Sequence, residues 1–195
     1  MNHEKTEVPH NNFFQATRIE AEQRLSRKKE TQVILEMVGK EKGRVLDVGS
    51  NLGYLTKLIH EKTGSYAVGI DTNPSVLARK VEKNRAGQGV DFLRASGEEM
   101  PLQDESFDCA VASHVLEHFE NPDRLLEEIK RVLKKDGELI IAVPKEKYLD
   151  QNSKDRRLWF FSVDDLISFL KPYGFQIQEP ADLEKSVVAK FKFKI

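Results

Sequence analysis

A single cysteine, Cys109, stands in a chain of 195 residues. No internal disulfide can form, and a lone thiol suits a reducing compartment, so the expected location is the cytoplasm. Long apolar runs are also missing: nothing approaches the ~20 residues that a membrane-spanning helix needs. The opening residues, MNHEKTEVPHNN, are polar, so no secretory signal is expected. Charge of neither sign dominates. Lys and Arg total 31 against 32 Asp and Glu, a net charge of −1, so the average field offers no broad attraction to nucleic acid. Basic groups do cluster locally, at Arg24/Arg27/Lys28/Lys29 and at Lys190/Lys192/Lys194, but such runs are ordinarily solvated faces. There is no internal repeat and no low-complexity linker. What remains is one domain, large enough for a three-layer α/β core.

The most informative stretch that is present runs from Val45 to Thr56, VLDVGSNLGYLT. Val45, Leu46 and Val48, interrupted by Asp47, form a buried strand. Gly49 to Gly53 make a small-residue turn, and Leu52, Leu55, Leu58 and Ile59 follow at helical spacing. A strand that passes through such a turn into a helix gathers backbone N–H groups at one point, at the carboxyl end of a parallel strand. A nucleotide-like cofactor can bind there.

The rest of the chain alternates. Residues 1–12 are expected to be loosely held, and residues 13–41 to form an N-terminal helical cap, with a Glu-, Lys- and Arg-rich helix from about Ala16 to Val38 buried at Ile19, Val33, Ile34, Met37 and Val38. Residues 42–195 form the core. Strands are expected at Arg44–Val48, Tyr66–Ile70, Val90–Arg94, Phe107–Ala112 and Glu138–Val143. Helices are expected over Gly53–Lys62, from Asn73–Pro74 to about Asn84–Gly87, from Asn121–Pro122 to Asp136–Gly137, and from Ser162 to Tyr173–Gly174. A final pair, Phe175–Glu179 and Val187–Phe193, is close enough to form a hairpin. Strands alternating with helices imply a parallel sheet with right-handed crossovers, to which a terminal hairpin adds an antiparallel strand.

Several segments in this order resemble one family. LDVGSNLGYLT is similar to an Asp-x-Gly-x-Gly-x-Gly motif, VGIDTNP to an acidic motif at the end of a second strand, and ASGEEMPLQDESFDCAVASHVLEHFENPDRLLEEIKRVLKKDGELIIAVP to the third to fifth strands with their loops. LWFFSVDDLISFLKPYGFQI is similar to the helix and strand that follow. Over residues 42–191 the chain resembles the class I S-adenosylmethionine-dependent methyltransferases, specifically the small type 11 group. The resemblance implies an α/β, Rossmann-like, seven-stranded, mostly parallel sheet of order 3-2-1-4-5-7-6 with strand 7 antiparallel, helices on both faces and an N-terminal helix.

It also implies a site. Backbone N–H groups near Gly49 and Ser50 would receive the methionine carboxylate of S-adenosylmethionine, and Asp47 would hold its ammonium or orient the turn. Asn51 occupies the usual middle glycine of a turn closed by Gly53, and Asn tolerates positive φ better than most residues. Asp71, followed by Thr72, would accept hydrogen bonds from both ribose hydroxyls. Ser96, Gly97 and Glu98 would lie beside the adenine, with Ser96 where the family usually has Asp. Ser113 and His114 would lie at the floor of the cofactor site, Ser113 touching the cofactor and His114 facing the acceptor, where it would orient substrate or accept a proton at neutral pH. Acceptor specificity would come from Phe13, Phe14, Tyr54 and the stretch 145–161 with Tyr148, Arg156, Arg157, Trp159 and Phe160, which together would form a lid.

The string His114-Val-Leu-Glu117-His118 also matches the H-x-x-E-H zinc motif, which needs both His on one helix face and a third ligand. Here it follows a core strand directly and a new helix starts at Asn121–Pro122, so no metal is expected. Methyltransferases of base amino groups carry Asn/Asp-Pro-Pro-aromatic after the fourth strand, where this chain has Ser113-His-Val-Leu, and Cys109 sits inside a strand, where a C5-pyrimidine nucleophile is not expected. The expected activity is methyl transfer from S-adenosylmethionine, which leaves S-adenosylhomocysteine, to a small-molecule acceptor by in-line displacement. The alternatives are a tRNA- or protein-directed methyltransferase and a non-catalytic S-adenosylmethionine-binding regulator.

Overall fold

Residues 11–74, 89–119, 121–145 and 162–193 are described by the computed structural model, with side chains from Leu25 onward. Seven strands form one sheet: β1 (Arg44–Val48), β2 (Tyr66–Asp71), β3 (Val90–Arg94), β4 (Phe107–Ser113), β5 (Leu133–Pro144), β6 (Phe175–Asp182) and β7 (Ser186–Phe193). Their order is β3-β2-β1-β4-β5-β7-β6. The pairs β1–β2, β1–β4, β2–β3 and β4–β5 are parallel, whereas β7 runs antiparallel to β5 and β6. This is the topology that the resemblance implies, and the terminal hairpin supplies the antiparallel strand.

Strand side chains alternate between two faces, and each face is covered by helices. The helices are α1 (Asn11–Val38), α2 (Tyr54–Thr63), α3 (Asp123–Val132) and α4 (Val163–Leu170). Val45, Cys109, Val111, Ile140 and Ala142 pack with Ile34, Met37 and Val38 of α1 and Ile59 of α2. Their chain neighbours Leu46, Ala110, Ala112, Leu139 and Ile141 pack with Leu125, Leu126 and Ile129 of α3 and with Leu166 and Leu170 of α4. Each fully buried large aliphatic contributes about 1.5–3 kcal/mol. Cys109 is one of these core residues, and burial pushes its thiol up to about 12, which suits packing and not nucleophilic attack. The end of α1 is pinned to the far strand, where Lys190 Nζ donates to the Met37 carbonyl at 2.9 Å.

Several element boundaries differ from expectation, beginning with α1, which starts at Asn11 and not near Ala16. The helix after Pro122 ends at Val132, not at Asp136–Gly137, because Leu133 leaves it to enter β5 and pairs with Phe107. Glu105 and Ser106 donate backbone N–H groups to the carbonyls of Arg131 and Val132, so the last turn is capped by the loop before β4. Asp136–Gly137 is therefore a bend within β5, where Asp136 adopts a φ of +62°. The α4 helix stops at Leu170 and continues as a 3₁₀ turn, Lys171–Tyr173, because Pro172 has no N–H to extend the α-helix. At its other end the Ser162 hydroxyl accepts from the Asp165 N–H at 3.1 Å. Strand β6 runs on through Pro180, which an edge strand tolerates. The helix expected after Pro74 and most of the aromatic stretch 145–161 lie outside the described residues.

Candidate functional site

The strand order reverses at β1, which lies between β2 and β4. Loops leaving the carboxyl ends of β1 and β2 diverge from those leaving β4, and a crevice opens between them. A cavity of about 410 Å³ lies there. Its walls come from four places: Gly49 and Asn51 after β1, Asp71 to Asn73 after β2, Gly97 after β3, and His114, Val115 and His118 after β4.

The turn after β1 takes its shape from three left-handed residues, Gly49 (φ +71°), Asn51 (φ +47°) and Gly53 (φ +71°). Asn51 thus adopts a backbone conformation that glycine would adopt freely. Gly49 is required for a second reason: a Cβ there would lie 2.4 Å from Val115 Cγ2, so the missing side chain keeps the β1 and β4 loops in contact. The Ser50 N–H donates to the Ile70 carbonyl at 2.9 Å and the Gly53 N–H to the Ser50 carbonyl at 2.7 Å. The Ser50 amide is therefore already satisfied within the protein, and its buried hydroxyl has no hydrogen-bond partner among the described residues.

Asp71 joins two loops. Its Oδ2 accepts from the Asn51 N–H at 2.7 Å and its Oδ1 from the Asn73 N–H at 2.7 Å. Each oxygen keeps a second lone pair, so the carboxylate is fixed in orientation and still able to accept hydrogen bonds. The bond to Asn73 is a local turn of the kind Asp forms readily; the bond to Asn51 is the one that ties the β1 loop to the β2 loop.

Asp47 sits elsewhere. It is 2% exposed, beneath the turn, and accepts from the Thr56 hydroxyl of α2 at 2.6 Å. Burial drives its carboxyl up to about 7 against the opposing Thr56 hydrogen bond, with the negative charge of Asp71 adding to the rise. It is absent from the cavity wall, so its contact is with α2 and its effect on the site passes through the turn.

On the β3 side Ala95 and Gly97 reach the wall. Ser96 is half-buried, and its hydroxyl accepts from the Glu98 N–H at 3.1 Å, closing a small turn in which Glu98 is exposed. Ser113 ends β4 opposite Ala142 and is likewise off the wall. Thr72 is on it and exposed. Tyr54, at the start of α2, is 69% exposed and lies away from this cavity, and Phe13 and Phe14 have no described side chains.

His114 leaves β4 with a φ of +55° while its N–H donates to the Ala142 carbonyl at 2.9 Å. Its Nε2 lies 2.9 Å from Glu30 Oε1 and its Nδ1 3.2 Å from Glu117 Oε1. Burial works against a charge on the ring, but the hydrogen bonds to Glu117 and Glu30 and their charges outweigh it and push His114 up to about 10. The same contact holds Glu30 below its ordinary value although burial would raise it. Neither Glu30 nor the wall position of Val115 is evident from the motifs. Glu30 does fall on the same helical face as Ile34 and Val38, at i, i+4 and i+8, and that spacing is the one sequence signal for its burial. Among the described residues no group of His, Cys, Asp and Glu is arranged to hold a metal ion.

The donors and walls fit S-adenosylmethionine. A fixed carboxylate suits a ribose diol, and the two glycines of the wall, Gly49 and Gly97, leave room for a flat base and a methionine arm. Comparison with known proteins agrees. A methyltransferase domain model of type 11 matches residues 46–141. An uncharacterized protein of Methanocaldococcus jannaschii is 31% identical over 144 residues, 69% of this chain and 65% of that one. A ubiquinone/menaquinone biosynthesis C-methyltransferase of Rhizobium etli is 31% identical over 130 residues, 64% of this chain and 50% of that one. The chain spans about half the length of the relatives it matches, from 37% to 65%. Among solved structures, the 1,6-didemethyltoxoflavin-N1-methyltransferase of Burkholderia thailandensis, bound to its acceptor and S-adenosylhomocysteine, superposes with a TM-score of 0.72 at 18% identity, covering 100% of this chain and 94% of that one. A SAM-dependent methyltransferase from Aquifex aeolicus gives 0.68 at 24% identity, covering 83% and 88%. Residues 46–141 belong to the type 11 methyltransferase family, and the seven-stranded fold is shared with S-adenosylmethionine-dependent methyltransferases.

Proposed function

We propose that the chain transfers the methyl group of S-adenosylmethionine to a small-molecule acceptor by in-line displacement. The observation that carries the reading is the Asp71 carboxylate, clamped by the Asn51 and Asn73 amides at the edge of the switch-point cavity. Its free lone pairs would accept from the two ribose hydroxyls. Gly49 and Asn51 would shape the wall for the methionine arm, with Ser50, Gly53 and the buried Asp47–Thr56 pair supporting that turn from behind. Thr72 and Gly97 would flank the nucleoside, and the Ser96–Glu98 turn would set the position of Gly97. Ser113 would carry His114 to the floor.

The cofactor supplies a methyl group on a positively charged sulfur, which needs no further activation. The protein's task is then alignment, and holding two reactants in register can supply ~7–11 kcal/mol of barrier reduction. His114 has both ring nitrogens committed to carboxylates, so the orienting role suits it and the proton-accepting role does not. His118 lines the same cavity with an exposed ring. The small-molecule reading is supported by the relatives: one acts in ubiquinone and menaquinone biosynthesis by its name, and one neighbour was solved with bound 1,6-didemethyltoxoflavin.

The test is formation of S-adenosylhomocysteine, followed by chromatography, when the protein is incubated with S-adenosylmethionine and a panel of phenols, quinols, heteroaromatic amines, thiols and carboxylates. Turnover with a member of the panel is expected. Turnover only with tRNA or a protein would overturn the small-molecule reading.

A further inference from the structure

Glu30 lies on α1, outside the residues that the methyltransferase domain model matches, and is separated from His114 by 84 positions in sequence. Its carboxylate is nevertheless buried, at 7% exposure, and meets the ring that floors the cavity. Glu117, 4% exposed, holds the other ring nitrogen. We propose that Glu30 is a positioning residue of the site: with Glu117 it clasps the His114 ring from both nitrogens, fixes it as a cation, and so couples α1 to the floor of the cofactor cavity. The proposal rests on the reading of that cavity as the S-adenosylmethionine site.

Three features argue that the clasp is built, and is not a surface ion pair. Both carboxylates are buried, and burying two acids against one base is costly unless the ring carries its proton. Only two in-plane nitrogens exist on imidazole, and both face carboxylate oxygens, so each must donate. The remaining Oε2 of Glu117 is buried with no hydrogen-bond partner among the described residues, a cost that an apolar side chain such as Leu would avoid. The charged and polar groups around the clasp are Arg27 on α1, which acts on Glu30 through its charge, and the buried Ser186 of β7 beside Glu30. The consequence for the site is geometric. With its edges occupied, His114 turns the part of the ring that remains exposed, 41% of the side chain, toward the cavity as a charged face and not as a hydrogen-bond donor.

The experiment uses the full chain and S-adenosylhomocysteine as probe. Long-range proton–nitrogen NMR follows the rings of all five histidines from about pH 5 to pH 10. His114 is expected to stay doubly protonated past about pH 8, whereas Glu30→Gln should bring its titration down by at least a unit and weaken S-adenosylhomocysteine binding several-fold by calorimetry. Glu36→Gln, on an exposed face of the same helix, should change neither. A His114 that titrates in the ordinary histidine range in the unaltered protein overturns the proposal, and that measurement stands even where Glu30→Gln does not fold. So does a folded Glu30→Gln with a lower melting temperature but unchanged ring titration or unchanged affinity, since that is the signature of a purely structural role. If the unaltered protein does not bind S-adenosylhomocysteine at all, the cofactor reading has failed, and the ring titration alone decides the clasp.

Discussion

Asp47→Asn separates a buried acid from a buried charge. In the folded chain the Asp47 carboxyl is 2% exposed, has the Thr56 hydroxyl as its donor, and titrates at about 7, against 3.8 for an unperturbed Asp. The folded value is the higher one, so the folded state binds this proton more tightly. The group's contribution to stability is therefore greatest below about pH 4, falls as the pH rises toward about 7, and levels off above that. A shift of about three units at 1.36 kcal/mol each bounds the cost at about 4 kcal/mol near pH 8. Asn keeps the shape and an oxygen for Thr56 but cannot ionise. Part of the gain is offset by its amide hydrogens, so the variant is expected to exceed the unaltered protein by about 1–3 kcal/mol near pH 8 and to lose that advantage near pH 4.5. Urea denaturation at a series of pH values, followed by circular dichroism, reads the difference, from which groups common to both proteins cancel. A difference that does not change with pH, or one that favours Asp more as the pH rises, would refute the reasoning.

Other expectations follow from the same geometry. Gly49→Ala places a Cβ 2.4 Å from Val115 Cγ2 at a φ of +71°, so it should abolish S-adenosylhomocysteine binding by calorimetry and lower the melting temperature. At position 51, Asn51→Gly should leave stability within about 1 kcal/mol, while Asn51→Val, β-branched at a φ of +47°, should cost about 1–3 kcal/mol by urea denaturation. Arg131 donates to Glu128, Asp104 and the carbonyls of Met100 and Leu102, so Arg131→Ala should speed hydrogen exchange over residues 99–105 more than elsewhere.

The strands were legible because a sheet covered on both faces leaves continuous apolar runs such as Cys109–Ala112 and Leu139–Val143, and because Gly, Asn and Pro punctuate them. The order of the sheet came from the resemblance, not from spacing. The α3–β5 boundary was illegible because it is set by pairing of Leu133 with Phe107, a contact across the sheet that overrides local helix propensity. In the site, the left-handed backbone of Asn51 was readable from residue type, since few side chains tolerate it. The divided roles of two acids were not: Asp47 and Asp71 both lie near the carboxyl ends of core strands, yet one accepts from Thr56 beneath the turn and the other holds two loop amides. Asp47 pairs with Gly69, two residues before Asp71, so the two acids share a face of the sheet and differ in how far along it they lie, with Asp71 at the open end. Glu30 was beyond local reading, because its partner lies in another motif.

The central claim is that S-adenosylmethionine binds at the switch point against Asp71. Calorimetric titration of the unaltered protein and of Asp71→Ala with S-adenosylmethionine tests it most directly. The account predicts saturable binding to the former, a loss of about ten- to a hundredfold in the latter, of the size expected when charge-assisted hydrogen bonds are removed, and a variant that remains folded. Equal affinity in the two proteins, or no binding to either, would contradict it.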